Sequence, residues 1–234
     1  MISYNGSLPP VRWRPKGHGK RRQQGASLVM SLLMLLAVQM LGMSAAQTSL
    51  QGEKASRNDQ DRQIALQAAE AALIDAERDI ETSERRHLFS QNSIEGFTAQ
   101  CSDAAVDIYL GLCRRAVSGG VPAWLAVDFE TQSVPYGYFT NRVFPNGNGP
   151  LTAQLPRYLI ELMSYKKDVE STAPEEVTYF YRITAIGFGA RTSTQVVLQT
   201  FYRKRDDHHK TVVPLGRFSW REISNWQELR DALA

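Results

Sequence analysis

The strongest feature of the hydropathy pattern is a run of 30 residues, from Gln23 to Gly52, without a charged side chain. Its centre, Leu28 to Leu41, is apolar on nearly every side of a helix. A helix needs about 20 such residues to cross the hydrocarbon core of a bilayer, and Ala26 to Ala46 supplies 21. The run therefore predicts a membrane-spanning helix rather than the buried helix of a soluble core.

The helical pattern continues past Gly52 to about Glu84, with polar residues on most faces. No proline interrupts residues 16–120. Apolar residues recur at spacings of three and four, which places them in one stripe on the helix. The stripe consists of Leu66, Ala69, Leu73, Ala76 and Ile80. We therefore predict one helix from Ala26 to about Glu84, roughly 90 Å long, lipid-soluble over residues 26–52 and amphipathic over residues 53–87.

Small and acidic residues distinguish the amphipathic half of this helix. Alanines, which would let another element approach closely, occupy positions Ala65, Ala68, Ala69, Ala71, Ala72 and Ala76. Acidic side chains form a row of Asp75, Glu77, Asp79, Glu81 and Glu84. Because charged residues are rarely buried, the acidic row is expected to form a solvated helix face.

The pattern changes in residues 88–234, which are expected to form a separate head. Glycine and proline recur between residues 88 and 155, which predicts loops and short elements there. Apolar and polar positions then alternate in three runs, which predict strands at Arg157–Ser164, Glu176–Gly187 and Arg191–Lys204.

The connections between these elements indicate the fold class. Gly187-Phe188-Gly189 predicts a tight turn that would make the last two runs an antiparallel hairpin. Residues 216–234 predict a short closing strand and a final helical turn. A long helix followed by strands predicts an α+β fold, with an antiparallel sheet packed on the amphipathic half of the helix.

The distribution of charge predicts how the helix crosses the membrane. The chain has 27 basic and 24 acidic side chains, a formal net charge of +3. Residues 1–25 contain six basic and no acidic side chains, so the rest of the chain carries −3. Since positive charge stays on the cytoplasmic side, the leader is expected in the cytoplasm and the head outside it.

A cleaved secretory signal peptide is the alternative interpretation of the same segments. A basic leader and an apolar run also describe such a signal, and Ser44-Ala45-Ala46 could serve as its cleavage site. The apolar run is longer than usual for a signal, however, and continues into a long amphipathic helix. A retained anchor is therefore the favoured prediction.

Few residues in the head could support chemistry. Cys101 and Cys113 would lie in an oxidising compartment, which favours one disulfide. The run Asp206-Asp207-His208-His209 contains residue types that bind metals. Adjacent histidines would point apart on a strand, however, so we expect a solvated loop there. Asp103 and Asp107 lack the spacing of an EF-hand. No nucleophile elbow, phosphate-binding loop or dinucleotide motif occurs in the sequence, so we predict no enzyme, metal site, cofactor or direct nucleic-acid contact.

Five segments of the chain resemble a known family. The leader that ends Lys20-Arg21-Arg22-Gln23-Gln24-Gly25 before Ala26-Ser27-Leu28-Val29 resembles a type IV prepilin. The stretch from Asp61 to Leu73 is similar to the N-terminal domain of PilX-type minor pilins of Gram-negative type IV pili. The segments Tyr181–Gly187, Gln195–Gln199 and Ser219–Glu222 resemble the C-terminal part of that family.

The resemblance implies processing, partners and location. A prepilin peptidase would cut between Gly25 and Ala26 and methylate Ala26. The subunit would stand in the inner membrane with a cytoplasmic N-terminus and a periplasmic head, and then enter a pilus on the cell surface. The implied partners are the prepilin peptidase, other minor pilins, the major pilin and a tip adhesin of the PilC/PilY family. The implied function is to prime pilus assembly and so to support twitching motility and adhesion.

One position departs from the usual pilin pattern. Most pilins have Glu at the fifth residue after cleavage, where it is thought to neutralise a neighbour's N-terminal amine; here that residue is Met30. A carboxylate in lipid is costly unless it is paired, so its absence leads to the hypothesis of a subunit at or near the pilus tip. The opposing interpretation is that this position tolerates either residue.

Two alternatives remain open. A K-type tip pseudopilin of type II secretion also lacks this Glu, but it usually carries a larger head than the 147 residues from Leu88 onward. A signal-anchored periplasmic adaptor would share the topology without entering a filament.

Overall fold

The structure is a computed structural model that describes residues 6, 25–90, 93–99, 101, 108–117, 119–147, 149–166, 177–205 and 213–233. The chain divides into two compact units, Met1–Glu53 and Lys54–Ala234. The two units share the long helix α1, Ala26–Thr82, of 57 residues. The helix thus begins where the sequence predicts and ends two residues earlier than Glu84.

The head contains short elements before its main strands. A 3₁₀ turn, Arg86–Phe89, follows α1. The next elements are β1 (Leu112–Arg114), α2 (Ala123–Ala126) and β2 (Val134–Pro135). The main strands are β3 (Arg157–Lys166), β4 (Val177–Phe188) and β5 (Gln195–Arg203). The described chain closes with β6 (Gly216–Arg217), β7 (Arg221–Glu222) and α3 (Trp226–Asp231).

These strands form one sheet of seven strands in the order β1-β3-β4-β5-β6, with β2 also paired to β3 and β7 to β5. The long strands pair antiparallel, with Ile160 opposite Ile183 and Ile183 opposite Thr200. The first strand, β1, runs parallel to β3. The α+β fold class and the β4–β5 hairpin are therefore confirmed, whereas the sheet is mixed rather than wholly antiparallel.

The turn of the hairpin differs from the prediction. Gly187 and Phe188 belong to β4, and β5 starts at Gln195 rather than Arg191. The connection therefore spans residues 189–194. It differs because Ala190 and Arg191 bond to a helix side chain, Asp61, instead of extending the strand.

The two faces of the sheet carry separate cores because successive strand residues point to opposite sides. One core joins the amphipathic half of α1 to inward residues of the sheet such as Tyr158, Ile183 and Leu198. The other lies beneath α2 and α3, where Trp124, Phe129 and Trp226 pack together. The head is therefore three-layered, with the sheet between the long helix and a cover of short elements.

The helix lies unusually close to the sheet at Gly187 in β4. A Cβ atom added there would collide with the Ala65 carbonyl oxygen and the Ala69 amide nitrogen. Both colliding atoms belong to the helix backbone, which cannot move aside as a flexible side chain could. Alanines on the helix and glycine on the strand are therefore the residues that allow this contact.

Gly187→Ala tests this contact directly. We expect the substitution to lower the free energy of unfolding of the head by about 3 kcal/mol, because helix and strand must separate. Urea unfolding of the full chain in detergent, followed by tryptophan fluorescence, measures the loss. Gly52→Ala, where nothing lies within 4 Å of an added Cβ, is the matched control and should not destabilise the head. An equal effect of the two substitutions would contradict the close approach.

Candidate functional site: the N-terminal helix and its contacts with the head

The start of α1 holds the residues predicted for processing and assembly. Ala26 is the first helical residue. Gly25, just before it, has φ +91°, a left-handed conformation that glycine adopts without strain. Met30 lies one turn into the helix and is 65% exposed.

The first half of α1 exposes an apolar surface. Its large apolar residues are exposed, among them Leu28, Leu32, Leu35, Val38 and Leu41. Within the described ranges, α1 is the one helix long and apolar enough to cross a membrane, judged by length and composition. Exposed apolar surface of this extent requires lipid or other apolar helices to cover it.

The predicted stripe lies in the second half of α1, against the sheet. Ala69, Leu73, Ala76 and Ile80 are fully buried, and Leu66 packs against the same core at partial exposure. This stripe therefore packs the second half of the helix against the sheet of the same subunit.

Only Glu84 of the predicted acidic row is exposed to solvent as the sequence led us to expect; for the other four members that prediction is wrong. Asp75 and Asp79 are completely buried, and Glu77 and Glu81 bond to the head. The sequence contained a signal for this burial that our prediction did not use. Alanines and carboxylates alternate at spacings of three and four, which places them in one row on the helix. That row is Asp61, Ala65, Ala68, Ala72, Asp75, Asp79 and Ser83, all of them buried.

Asp61 fixes the β4–β5 connection to the helix. It accepts hydrogen bonds from the Ala190 amide at 2.5 Å, the Thr194 hydroxyl at 2.6 Å and the Arg191 Nε at 2.9 Å. Gly189 must lack a side chain because a Cβ there would collide with the Asp61 carboxylate. A single aspartate thus orders the turn between β4 and β5.

Asp75 likewise fixes a second loop to the helix, the loop that follows β2. Its carboxylate accepts the Gly137 amide at 2.7 Å and the Thr140 hydroxyl. A Cβ at Gly137 would collide with the Arg142 backbone, and its φ of +80° also favours glycine. The loop after β2 is therefore tied to the helix through backbone as well as side-chain donors.

Asp79 forms a buried ion pair with Arg85, just beyond the end of α1. The Arg85 Nε lies 3.0 Å from the Asp79 Oδ1, and both side chains are fully buried. Arg85 also donates to the carbonyl oxygens of Ile108 at 2.9 Å and Leu110 at 2.7 Å. The pair therefore connects the end of the helix to the chain that leads into β1.

Two aromatic rings complete this buried cluster. The Arg85 guanidinium lies 3.6 Å from the ring centre of Phe139, a cation–π contact. The Tyr158 hydroxyl of β3 donates to Asp79 at 2.9 Å. Burial, together with the neighbouring Asp79 carboxylate, raises the pKa of Tyr158 well above its ordinary value. Tyr158 therefore stays a hydrogen-bond donor at physiological pH.

Three more carboxylates tie the helix to the last strands. Glu77 and Glu70 bind the Arg217 guanidinium of β6 at 2.5 and 3.2 Å. Although burial opposes the charge, these two glutamates raise the pKa of Arg217. Glu81 accepts the Tyr202 hydroxyl at 2.7 Å and the Arg205 amide at 2.8 Å.

The disulfide lies on the other face of the sheet. Cys101 and Cys113 are bonded to each other, so the predicted pairing is present, and both are buried in the core under α2 and α3. Since β1 contains Cys113, the bond fixes the preceding chain to the edge of the sheet. By the loop-entropy account such a closure contributes on the order of 3 kcal/mol.

Several sequence predictions fall outside the described residues. These are the leader apart from Gly6 and Gly25, the run Asp206–His209, and Asp103 with Asp107. Within the part of the chain that the structure describes, no group of three or more His, Cys, Asp or Glu could hold a metal ion.

Two family models match this chain. The PilX N-terminal model matches residues 24–73, and the model of the type IV pilus assembly protein PilX C-terminal part matches residues 109–204. Together they cover more than half of the chain, including the start of α1 and the strands from β1 to β5. The chain belongs to the PilX-type type IV pilus assembly proteins. No curated protein and no solved structure matches it significantly.

Membership gives this PilX-type protein a minor-pilin role in the type IV pilus and interactions with other pilus components. The family is a structural one, concerned with pilus assembly. The apolar start of α1 agrees with membrane anchoring. Ser219–Glu222, which also resembles the family, lies beyond the matched residues.

The ion pair between Asp79 and Arg85 provides a test of how this PilX-type protein holds its helix. Asp79→Leu and Arg85→Met should each lower the free energy of unfolding by about 3–5 kcal/mol, because each leaves a buried charge without its partner. The double variant should lose clearly less than the sum of the two, since no unpaired charge then remains.

Urea unfolding of all three variants measures this coupling. Arg86→Met, which removes an exposed arginine next to the pair, is the control and should change stability little. Strictly additive losses in the double variant would show that the two side chains act independently.

Proposed function

We propose that this PilX-type protein primes assembly of the type IV pilus and becomes part of the filament, at or near its tip. The observation that carries the proposal is the division of α1 into a first half with an exposed apolar surface and a second half fixed to the head. A helix of this kind can pack among other apolar helices while the head keeps its own fold.

Assembly in this proposal is the bundling of apolar helices. Before assembly, lipid covers the first half of α1; in the filament, helices of neighbouring subunits replace the lipid. Lipid is as apolar as these side chains, so van der Waals packing rather than the hydrophobic effect favours the bundle. The small residues Gly42, Ala45 and Ala46 would permit close packing there.

Processing would convert the inserted precursor into an assembly-competent subunit. The leader would remain in the cytoplasm and the head in the periplasm, as the charge distribution predicts. The prepilin peptidase would cut between Gly25 and Ala26 and methylate Ala26. Gly25 lies just before the first helical residue, so the proposed cut would fall at the boundary between the leader and the helix.

The tip location rests on Met30. A subunit within the shaft has another subunit's N-terminal amine to neutralise, and a carboxylate at the fifth mature position would do so. Met30 offers no charge, which suits a subunit that docks beneath no other. Other minor pilins, the major pilin and a PilC/PilY-type adhesin would be its partners, and twitching motility and adhesion would follow from assembly.

N-terminal sequencing of the protein from piliated cells tests the processing step. We expect the mature chain to start at methylated Ala26, and Gly25→Glu to block cleavage because a bulky charged residue replaces glycine at the cut. Gly19→Ala, within the same leader, should leave cleavage intact. A chain that starts at Met1 or at Gln47 would exclude the pilin assignment, and Gln47 would indicate signal peptidase.

Met30→Glu tests the tip location. A carboxylate at this position should let the subunit enter the shaft, so we expect altered pilus number and labelling along the filament in immunogold microscopy. Met30→Gln, which is polar but uncharged, separates the effect of charge from that of shape and should behave like the parent. Unchanged pilus number and tip composition in Met30→Glu would overturn the tip location.

A further inference from the structure

We propose that a groove on the head binds an extended segment of a partner protein and takes up one basic side chain of that segment. The groove consists of two adjoining cavities, an acidic pocket of about 350 Å³ and an open cleft of about 590 Å³. Gln195, Trp226 and Gln227 line both of them. Every lining residue belongs to the unit Lys54–Ala234, so the inference does not depend on membrane anchoring or on processing.

The backbone of Gln195, the first residue of β5, faces the open cleft. The Ile223 amide donates to the Val197 carbonyl oxygen at 2.9 Å, so Val197 directs its backbone groups away from β4. Residues two apart in a strand direct their N–H and C=O groups to the same side, and those of Gln195 therefore point the same way. Beyond Ile223 the chain passes into α3, and no backbone bond from another described residue reaches Gln195 on that side.

An extended segment could pair with Gln195 and exchange two hydrogen bonds with it, as a strand does when it is added to a sheet. In such a pair the side chains of the opposite residues lie on the same face of the sheet. The Gln195 side chain shares its face with Val197, which belongs to the core under α2 and α3. The residue opposite Gln195 would therefore direct its side chain toward the acidic pocket, because residues of that core form the floor of the pocket.

The acidic pocket combines an apolar floor with a charged rim. Three buried aromatic side chains of the core line it: Phe129, Phe188 and Trp226. Three exposed carboxylates also line it: Asp128, Glu130 and Asp231. A lysine or arginine side chain has the same two parts, an apolar stem and a charged end, so the lining matches a basic side chain.

The charges at the acidic pocket leave one carboxylate in excess. Two cations lie near the three carboxylates: Arg230 lines the pocket, and Arg157 interacts with Asp128 and Glu130. Burial lowers the pKa of Arg157, and these two carboxylates oppose that shift. Three negative and two positive groups sum to −1, which one incoming basic side chain would balance.

An aromatic ring of the pocket already accommodates a positive charge. The Arg230 guanidinium lies 5.5 Å from the ring centre of Trp226, within the range of a cation–π contact. A second cation near this position is compatible with the carboxylates that remain on the rim.

The open cleft suits a peptide backbone. Among its described lining residues, neutral polar side chains surround Gln195: Ser193, Ser224, Asn225 and Gln227. Hydroxyl and amide groups can both donate to and accept from a peptide. The arginines of the cleft are paired with carboxylates, Arg62 with Glu222 at 2.5 Å and Arg191 with Asp61 at 2.9 Å. An uncharged backbone therefore fits the cleft, while the basic side chain fits the acidic pocket.

Peptide binding to the full chain in detergent tests the proposal. The probes are the peptide Thr-Val-Lys-Val-Thr, acetylated and amidated at its ends, and the same peptide with uncharged norleucine in place of lysine. Surface plasmon resonance on the immobilised protein measures both dissociation constants. We expect norleucine to weaken binding about tenfold, because the charge-assisted hydrogen bonds to the rim are lost. Equal affinity of the two peptides would overturn the proposal.

Two double variants locate the charged contact. E130Q/D231N removes two carboxylates of the rim and should weaken binding of the lysine peptide about tenfold, with the norleucine peptide unaffected. D59N/E84Q removes two exposed carboxylates outside the groove and should leave both affinities unchanged. If E130Q/D231N weakened both peptides equally or neither of them, the acidic pocket would not be the site of the basic side chain.

N-methylation of the peptide tests the pairing with Gln195. A methyl group on the lysine amide removes the donor to the Gln195 carbonyl oxygen, and we expect binding about tenfold weaker. The matched control is methylation of the following valine, whose amide would point away from β5 and whose loss should matter little. The reverse order of the two effects would overturn the pairing. Displacement of the lysine peptide by an equal concentration of spermidine would indicate a site for free amines, and the assignment to a partner protein would then be wrong.

Discussion

The close approach of α1 to β4 is the constraint on which the rest of the head depends. The helix backbone at Ala65 and Ala69 leaves no room for a side chain at Gly187. Such proximity brings the flanks of the helix within hydrogen-bond reach of the loops around the sheet. Larger residues at this contact would hold helix and sheet apart, and the carboxylates of α1 would lose their partners.

Those carboxylates give the docking its specificity. Alanine and leucine burial favours contact between helix and sheet, but apolar surfaces alone would allow the helix to slide or rotate. Asp61, Asp75 and Asp79 each require particular donors, because an unpaired buried charge is costly. Each is supplied by a different part of the head: the β4–β5 turn, the loop after β2, and Arg85. Together they fix the register of the helix on the sheet.

The two halves of α1 therefore have different physical roles. The second half packs against the head: the sheet covers its apolar stripe, and donors in the head bind its carboxylates. The first half presents apolar side chains from Leu28 to Leu41 for which the chain provides no cover in the described residues. That division suits a minor pilin, because the part that would exchange lipid for other helices in the proposed assembly is separate from the part that maintains the fold.

The sequence alone predicted those features that depend on residues close together in the chain, and failed for contacts between residues far apart in it. Local patterns were enough to predict the start of α1, its apolar stripe, the β4–β5 hairpin and the α+β class. The reason is that the periodicity of a helix or a strand depends on residues that are close in sequence. Only the tertiary structure decided that Asp75 and Asp79 are buried. The local sequence pattern around a carboxylate is the same whether the carboxylate binds water or a residue such as Thr140 or Arg85. Gly187 likewise looked like a turn, and only the helix that packs against it explains why this strand requires a residue without a side chain.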